Sequence, residues 1–292
     1  MTTDPTMMAR FAACRPQLKA VAYRMLGSVD DAEDAVQEAW LRLSRAECDG
    51  IANLDAWLTT VVARICLNML RDRRCRENEE LVARIPDPLV DSEGEFDPEH
   101  RAMLADAVGL ALFVVLDTLS PAERLAFVLH DAFAVPFEQI APIVDRSPEA
   151  ARKLASRARR RIQQADPQPD GDLVAQREAV DAFFAAGRSG DFDRLVAVLH
   201  PEVVLRGDFG SGAAVFHAQG AAAVARLARS YAGPDRQVCP AYVNGAAGAV
   251  ILVAGQPSAV MGFVVRGNRI AAIDVLADQS RIARLDLASL GE

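Results

Sequence analysis

Segment 137–162 constrains the fold most, because it has the pattern of a helix-turn-helix. It reads FEQIAPIVDRSPEAARKLASRARRRI. Apolar residues at offsets 0, 3, 4 and 7 predict a first helix with one buried face, made of Phe137, Ile140, Ala141 and Val144. Asp145 and Arg146 predict a turn. Ser147 is then suited to be the N-cap of a second helix, with Pro148 at its first position.

The second helix of this pair combines an apolar stripe with six cations. The stripe consists of Ala151, Leu154, Ala155, Ala158 and Ile162. The cations lie off the stripe and are Arg152, Lys153, Arg157, Arg159, Arg160 and Arg161. A helix that packs with one face and presents cations on the other is typical of DNA recognition. The alternative is a solvated basic face on an ordinary bundle helix, which the capped helix pair makes less favourable.

The net charge of -8 argues against nucleic-acid binding until its location is considered. Residues 77–99 hold nine acids and one base, whereas the rest of the chain has 31 of each. Local basic clusters are therefore compatible with phosphate binding. The 292 residues are enough for two domains or three small ones.

The composition predicts an intracellular protein without a metal site or cofactor. The five cysteines are odd in number and lack paired metal-ligand spacing, which fits a reduced cytoplasm. The N-terminal MTTDPTMMARF has no apolar signal region, and no apolar run approaches the roughly 18 residues of a membrane span.

The first block, residues 1–76, is predicted to be helical. DDAEDAVQEAWLRL places acids at a helix N-terminus and a core stripe behind them, formed by Val36, Ala39, Trp40 and Leu43. A later helix is expected to bury Leu54, Trp57, Leu58, Val61 and Ile65. Its other face carries a polar strip at offsets 0, 4, 8 and 11, which consists of Thr60, Arg64, Asn68 and Arg71.

This strip, extended by Arg73, Arg74 and Arg76, suits a nucleic-acid backbone. A solvated face that ends in arginines complementing the helix dipole is the alternative. Residues 77–103 are rich in proline and acids and are predicted to be a linker rather than a packed element. Residues 104–165 return to helix, with a capping box at Ser120 and Glu123.

The third block, residues 166–292, has a different character. A helix containing Val180 and Phe183 precedes short runs of strand character at 203–206, 237–243, 249–253, 260–265 and 269–275. We predict an α+β domain in which helices come first and an antiparallel sheet follows. Its charges do not cluster, so it is not an obvious DNA binder.

The two helical blocks resemble a bacterial sigma factor of the extracytoplasmic-function class, within the sigma-70 family. MLGSVDDAEDAVQEAWLRL and NLDAWLTTVVARICLNMLRDRR resemble sigma region 2, and the stretch from LSPAERLAFVLHD to SRARRRI resembles region 4. The third block resembles the SnoaL-like, NTF2-type domain that one subgroup carries. The resemblance therefore implies two all-α domains and an α+β cone.

The resemblance also implies partners and contact residues. The partners are core RNA polymerase, through the clamp of its largest subunit and the flap of its second, and promoter DNA. The clamp contacts would be Asp34, Gln37 and Glu38. The minus-10 contacts would be Asp49, Asn53, Thr60, Arg64, Asn68 and Arg71. The minus-35 contacts would be Ser147, Glu149, Arg152, Lys153, Arg157, Arg159, Arg160 and Arg161, with Glu149, Arg152 and Lys153 near bases and the later arginines on phosphates.

Two degenerate motifs resemble the regulatory signatures of that subgroup. RIPDPLVD in the linker supplies Pro86, Asp87 and Pro88, and GDFGSG in the third block supplies Asp208, Gly210 and Gly212. The resemblance implies that the third block controls the sigma blocks in cis. It also implies that the acidic linker lies in the RNA-exit path of the polymerase and imitates RNA.

Other functions remain open at this stage. SnoaL-like relatives include cyclases and isomerases, for which Asp208, His217 and Asp274 are the available groups here. Asp208 has a simpler explanation as a turn residue, and His217 as a structural histidine, so no catalytic residue is assigned. The third block is alternatively a ligand sensor. A plain helix-turn-helix regulator is the competitor for the first half, although no dimerisation helix is visible.

Overall fold

The computed structural model describes residues 5–45, 53–77, 85–92, 97, 100, 103–104, 109–165, 171–210, 215–231, 233 and 235–287. The chain forms two compact units. The helical unit consists of residues 1–81, 98–106 and 116–165, and the C-terminal unit of residues 82–97, 107–115 and 166–292. This division cuts through the segments predicted as a linker and as the first helix of the second block.

Three long helices begin the helical unit: α1 (Pro5–Leu26), α2 (Val29–Arg45) and α3 (Leu54–Glu77). In α2 the buried side chains recur every three or four residues and form one apolar face, made of Ala32, Ala35, Val36, Ala39 and Leu43. Trp40 is half-buried and its ring stacks on that of Phe11, with centroids 4.9 Å apart. The predicted core of α3 is buried at Leu54, Leu58 and Ile65, whereas Trp57 and Val61 are only half-buried.

The helix-turn-helix follows α4 (Gly109–Thr118), α5 (Pro121–Phe127) and a π-helical turn, Val128–Ala132. The capping box at Ser120 and Glu123 is present at the start of α5. The first helix of the pair, α6 (Phe137–Ile140), is shorter than predicted, but Ala141 and Val144 are still buried. Asp145 takes a φ of 55° in the turn. The second helix, α7 (Pro148–Ala165), buries the predicted stripe at Ala151, Ala155, Ala158 and Ile162.

The C-terminal unit is built on one seven-stranded sheet of order β1-β4-β5-β6-β7-β2-β3. Its strands are β1 (Val90–Ser92), β2 (Leu199–Asp208), β3 (Phe216–Gln219), β4 (Arg236–Val243), β5 (Ala246–Val253), β6 (Gln256–Arg266) and β7 (Arg269–Leu276). The helices are α8 (Leu173–Ser189), α9 (Phe192–Val198), α10 (Ala221–Tyr231) and α11 (Gln279–Ile282). The principal core of this unit includes Val180, Phe183, Val203, Phe263 and Ile273.

The sequence led us to expect a wholly antiparallel sheet, but one pair of strands is parallel. β2 and β7 pair in parallel, with Arg206 opposite Asp274. Hairpins impose antiparallel pairing only on consecutive strands, and here α10 and several strands separate the two. Two elements that were not predicted, β3 and α10, interrupt the expected order of helices followed by strands.

The prediction that residues 77–103 are a linker and not a packed element is wrong for residues 85–92. Ile85, Leu89 and Val90 are at most 5% exposed, and β1 pairs with β4 in the register Val90 to Val243. Ile85 and Val90 join a second core cluster with Leu110 and strand residues of β4, β5 and β6. The prolines and acids dominate the composition, but these apolar side chains determine the packing. We call residues 85–92 the strap.

Candidate nucleic-acid interface and regulatory contacts

The N-terminal part of α7 presents exposed polar side chains on a rigid base. The Ser147 hydroxyl accepts a hydrogen bond from the Ala150 amide at 3.2 Å and caps the helix. The Arg152 guanidinium lies over the Phe137 ring, 5.3 Å from its centroid. Lys153 pairs with Glu149 one turn earlier at 3.1 Å, and both side chains are at least 70% exposed. These contacts orient the end of α7 that the sequence assigns to base contacts.

The C-terminal cations of α7 are held by acids of the same unit. Arg157 and Arg161 both pair with Glu123, at 2.9 and 3.3 Å, and Arg159 pairs with Asp131 at 2.5 Å. Arg160 is exposed, and within the described residues it forms no such ion pair. The three arginine side chains keep more than a third of their surface exposed, so they remain accessible to a phosphate while the ion pairs orient them.

Glu123 is the central acid of this arrangement. Burial opposes ionisation of its carboxylate, but hydrogen bonds from Arg157 and Ser120 and the charge of Arg161 outweigh this effect and lower its pKa to about 2. The same carboxylate completes the capping box by accepting from the Ser120 amide at 3.1 Å. Glu123 therefore joins the start of α5 to α7.

Glu123→Gln is expected to make the helical unit less stable at neutral pH and to flatten its acid dependence. An acid with a lowered folded-state pKa contributes stability above its unfolded value, near 4.5, and loses it as the pH falls toward 2. Because both arginines are half-exposed, we expect a loss of about 1–2 kcal/mol at pH 7 and little difference near pH 2. Urea unfolding at both pH values measures this. Glu138→Gln, at an exposed site on α6, is the control. Equal losses of unfolding free energy in both variants would contradict the role of Glu123 as the partner of Arg157 and Arg161.

The predicted minus-10 strip lies along α3. Arg64, Asn68 and Arg71 are exposed, and Thr60 is half-buried with its hydroxyl donating to the Ala56 carbonyl at 2.9 Å. Asn53 is the N-cap of α3, since its side-chain oxygen accepts from the Ala56 amide at 3.1 Å. Asp49 lies outside the described residues. Arg64 donates to the Pro142 carbonyl at 3.3 Å, which places the strip beside the helix-turn-helix.

Two of the arginines that are expected to extend the strip make contacts within the helical unit. Arg73 pairs with Asp31 at 2.5 Å and donates to the Leu26 carbonyl at 3.1 Å, and Arg74 donates to the Leu119 carbonyl. Arg73 is half-buried and is used within the unit, whereas Arg74 remains exposed. The side chain of Arg76 lies outside the described residues.

The residues predicted to contact polymerase share the polar face of α2. Asp34 and Gln37 are exposed, and Glu38 is half-exposed and pairs with Arg42 at 2.9 Å. This face is opposite the buried stripe of Val36 and Ala39. The side chains are therefore available to a partner.

Besides the β1–β4 pairing and the core packing, two sets of polar contacts hold the strap against the rest of the C-terminal unit. In the first, Leu89 and Asn244 exchange hydrogen bonds: the Leu89 amide donates to Asn244 Oδ1 at 3.0 Å, and the Asn244 amide donates to the Leu89 carbonyl at 2.8 Å. Asn244 is fully buried and has a φ of 50°.

The second set is centred on Arg281, whose side chain is 2% exposed. Its guanidinium donates to Asp208 Oδ2 at 2.8 Å, to Asp87 Oδ1 at 2.6 Å and to the Ile85 carbonyl. Asp208 also accepts from the Ile85 amide at 3.3 Å. We call Ile85, Asp87, Asp208 and Arg281 the latch. It brings together the two motifs that the sequence analysis selected as regulatory.

The remaining motif residues lie around the latch. Pro86 and Pro88 are buried on either side of Asp87. Gly210 has a φ of 98°, and a Cβ there would lie 3.0 Å from the Asp278 carboxylate, so glycine is required. Gly212 lies outside the described residues.

The acids considered for catalysis are used in ion pairs. Asp274 is 1% exposed and receives two hydrogen bonds from Arg206, at 2.5 and 3.0 Å. Burial raises the pKa of the Asp274 carboxyl, and the Arg206 charge opposes that rise. Asp208 belongs to the latch, and His217 is exposed on β3. A cavity of about 310 Å³ lies in this unit, and its described lining contains no carboxylate and no histidine.

Sequence reasoning missed Arg281, Asn244 and Glu123 as connecting residues. Glu123 had a signal, since it was recognised in the capping box. Asn244 lies in the Gly-rich turn NGAAG, which was read only as a separator between strands. Arg281 has no local signal, because its partner Asp87 is 194 positions earlier in the chain.

Two helical regions with exposed polar faces, in one chain with an α+β unit, are the arrangement expected of a transcription initiation factor. Two family profiles match the chain, Sigma-70 region 2 over residues 11–76 and Sigma-70 region 4 over residues 110–162. The chain belongs to the extracytoplasmic-function sigma factors of the sigma-70 family. Among the described residues, no helix is long and apolar enough to cross a membrane.

Particular relatives cover the whole arrangement, including the third block. The chain is 41% identical to the sigma factor SigJ of Mycobacterium tuberculosis, over 92% of this chain and 87% of SigJ. It is 32% identical to the probable sigma factor SigI of the same organism, over 97% of both chains. The crystal structure of M. tuberculosis SigJ matches with a TM-score of 0.75 and 35% identity, over 96% of this chain and 99% of that one. The C-terminal unit has the α+β architecture that the sequence predicts, and the match to the SigJ structure extends over it.

Proposed function

We propose that the protein is an alternative sigma factor that binds core RNA polymerase and directs it to promoters with minus-35 and minus-10 elements. The observation that carries the proposal is that both sigma regions are present with their polar faces exposed: the α7 cations and the α3 strip. Such a factor works where bacterial RNA polymerase does, in the cytoplasm. We propose that it is not an enzyme.

The contact residues follow from this function. The exposed face of α2, with Asp34, Gln37 and Glu38, docks on the polymerase clamp. The α3 strip captures the melted minus-10 strand, whose unstacking costs a few kcal/mol per base and is offset by such contacts. Helix α7 enters the major groove at the minus-35 element.

Run-off transcription with purified bacterial core polymerase, on the promoter upstream of the protein's own gene, tests the proposal. We expect transcript only when the chain is added. Binding of the isolated protein to the same DNA, with no transcript and no association with core polymerase, would instead support a conventional helix-turn-helix regulator.

Two arginines on α7 are expected to differ in how they contribute to promoter use. Arg152→Ala should lose about 1–3 kcal/mol of discrimination at one base position, because its guanidinium is oriented near the end of α7 that enters the groove. Arg160→Ala should weaken all promoters alike, since an exposed cation at the other end of α7 contacts phosphate. Transcription from a panel of minus-35 variants measures both. If both variants lost transcription to the same extent on every promoter variant, the division into a base contact at Arg152 and a phosphate contact at Arg160 would be refuted.

We also propose that the C-terminal unit controls the sigma activity in cis through the strap. The latch and the Leu89–Asn244 pair support this, since they fix part of the segment that connects region 2 to region 4. In the transcribing complex the acidic connection lies in the RNA-exit path. A truncation after Ala165 would uncover Ile85 and Leu110 as well as removing the domain, so point changes in the latch are the sharper test.

A further inference from the structure

The cavity of the C-terminal unit has a lining with a distinct chemistry. Most of the lining is apolar, and Phe183 and Phe184 on one side form edge-to-face contacts with Phe263 at centroid distances of 5.8 Å. Phe209 and Phe216, which are 43% and 41% exposed, also line it. Contiguous apolar and aromatic side chains around a concave surface are typical of a small-molecule site. The cavity therefore favours an apolar guest.

Among the described residues, the charged groups that line the cavity are all positive. Among the described lining residues, Arg188 and Arg236 are the charged ones, and Ser258 and Gln279 supply polar groups. Gln279 donates to the Ser258 carbonyl at 2.9 Å and to the Ala277 carbonyl at 3.3 Å. An anionic head group is therefore attracted, and no described acid of the lining opposes it. Since an apolar cavity of about 150 Å³ binds benzene, a volume of about 310 Å³ suits a guest of roughly ten to twelve heavy atoms.

The cavity and the latch share two segments of backbone. Gly207 and Phe209 line the cavity on either side of Asp208, the acid that accepts from the Ile85 amide. Ala277 and Gln279 line it beside Asp278, and Arg281 follows in the same short helix. The Phe209 ring also lies against Gly207, where a Cβ would be 2.9 Å from it. A guest that contacts Phe209 therefore acts on the backbone that carries Asp208.

We propose that this cavity binds a small apolar carboxylate of about ten carbon atoms and that its occupation stabilises the latch. The binding rests on the cavity alone, whereas its effect on transcription rests on the proposed sigma function. A filled cavity holds Phe209 against Gly207 and restricts the motion of Asp208, so the strap opens less often. The coupling is reciprocal, since a closed latch then favours the guest by the same factor.

Calorimetric titration of the full chain with decanoate, 4-phenylbutyrate and decanol tests the binding. We expect the first two to bind, and the pair Arg188→Gln with Arg236→Gln to weaken them about tenfold without changing decanol. The pair Arg226→Gln with Arg229→Gln changes the same charge outside the lining and should have no effect. No binding of either carboxylate, or equal losses in the two pairs, would overturn the proposal.

A cavity-filling substitution supplies an independent test. Ala228→Phe on α10 should abolish decanoate binding, whereas Ala222→Phe, exposed on the same helix, should not. Unchanged affinity in a folded Ala228→Phe protein would overturn the assignment of the site.

Amide hydrogen exchange measured by NMR tests the coupling. Saturating decanoate should slow exchange of the Ile85 amide, which donates to Asp208, several-fold more than that of Leu89, which donates to Asn244 away from the cavity. Binding without any change at Ile85 would overturn the coupling. Failure of run-off transcription without ligand would count against the proposed function and leave the binding site unaffected.

Discussion

Arg281→Gln is expected to lower the free energy of unfolding of the C-terminal unit by about 3–5 kcal/mol. The arginine is 2% exposed and faces two carboxylates, Asp208 and Asp87, whose side chains are 9% and 17% exposed. Glutamine cannot neutralise either of them, so both charges are left poorly solvated. The Ile85 carbonyl also loses its donor. The strap should then exchange its amide hydrogens faster than in the wild type.

Urea unfolding and hydrogen exchange of residues 85–92 measure the effect. Arg284→Gln is the control, because it removes the same charge at an exposed position three residues later, where the side chain donates to the Ser280 carbonyl at 3.2 Å. It should cost less than about 0.5 kcal/mol. Adding Asp87→Asn and Asp208→Asn to Arg281→Gln should recover part of the loss, because the uncompensated charges are removed. An unchanged urea midpoint in Arg281→Gln would mean that the latch does not hold the strap.

The same variants test whether the C-terminal unit controls the sigma activity in cis. If the strap transmits the state of the C-terminal unit to the sigma regions, Arg281→Gln should change the run-off transcript yield and Arg284→Gln should not. The direction of the change gives the sign of the control. Equal yields from the wild type and Arg281→Gln, with strap exchange confirmed to be faster, would remove the regulatory proposal.

Local signals explain why the helical unit was predictable. The capping box at Ser120 and the N-cap at Ser147 act within one turn, and the stripe from Ala151 to Ile162 follows the helical period. Such signals fix where a helix begins and which face packs. They do not distinguish Arg71, which is exposed, from Arg73, which pairs with Asp31, because that difference depends on a neighbouring helix.

The strap and the latch depend on contacts between distant parts of the chain. Composition marks residues 85–92 as a linker, and only the sheet edge offered by β4 turns Val90 to Ser92 into a strand. Arg281 has a polar and unremarkable neighbourhood in sequence, and its role arises where α11 meets the strap. The parallel pairing of β2 with β7 is likewise set by the order of strands in the whole sheet and not by any turn.

If α3 and α7 bind the minus-10 and minus-35 elements as proposed, the helical unit must open on the promoter. Arg64 of the α3 strip and Pro142 of the helix-turn-helix are in hydrogen-bond contact at 3.3 Å, and α7 with 18 residues is about 27 Å long. The minus-10 and minus-35 elements lie about 25 base pairs apart, or roughly 85 Å along B-DNA. The two faces proposed to bind DNA lie side by side in the observed conformation and cannot span that distance. Opening therefore breaks the Arg64–Pro142 contact and that of Arg74 with the Leu119 carbonyl.

A distance measurement detects this opening directly. Spin labels at Asp72 on α3 and Gln163 on α7, both exposed and introduced as non-natural amino acids, should move apart when core polymerase and promoter DNA are added. Labels at Asp72 and at Leu41 on α2 should keep their distance, because α2 and α3 pack within one domain. Double electron-electron resonance reports both pairs. An unchanged distance between Asp72 and Gln163 in the transcribing complex would mean that one of the two faces does not contact its promoter element, and the assignment of the α3 strip or of α7 would fail.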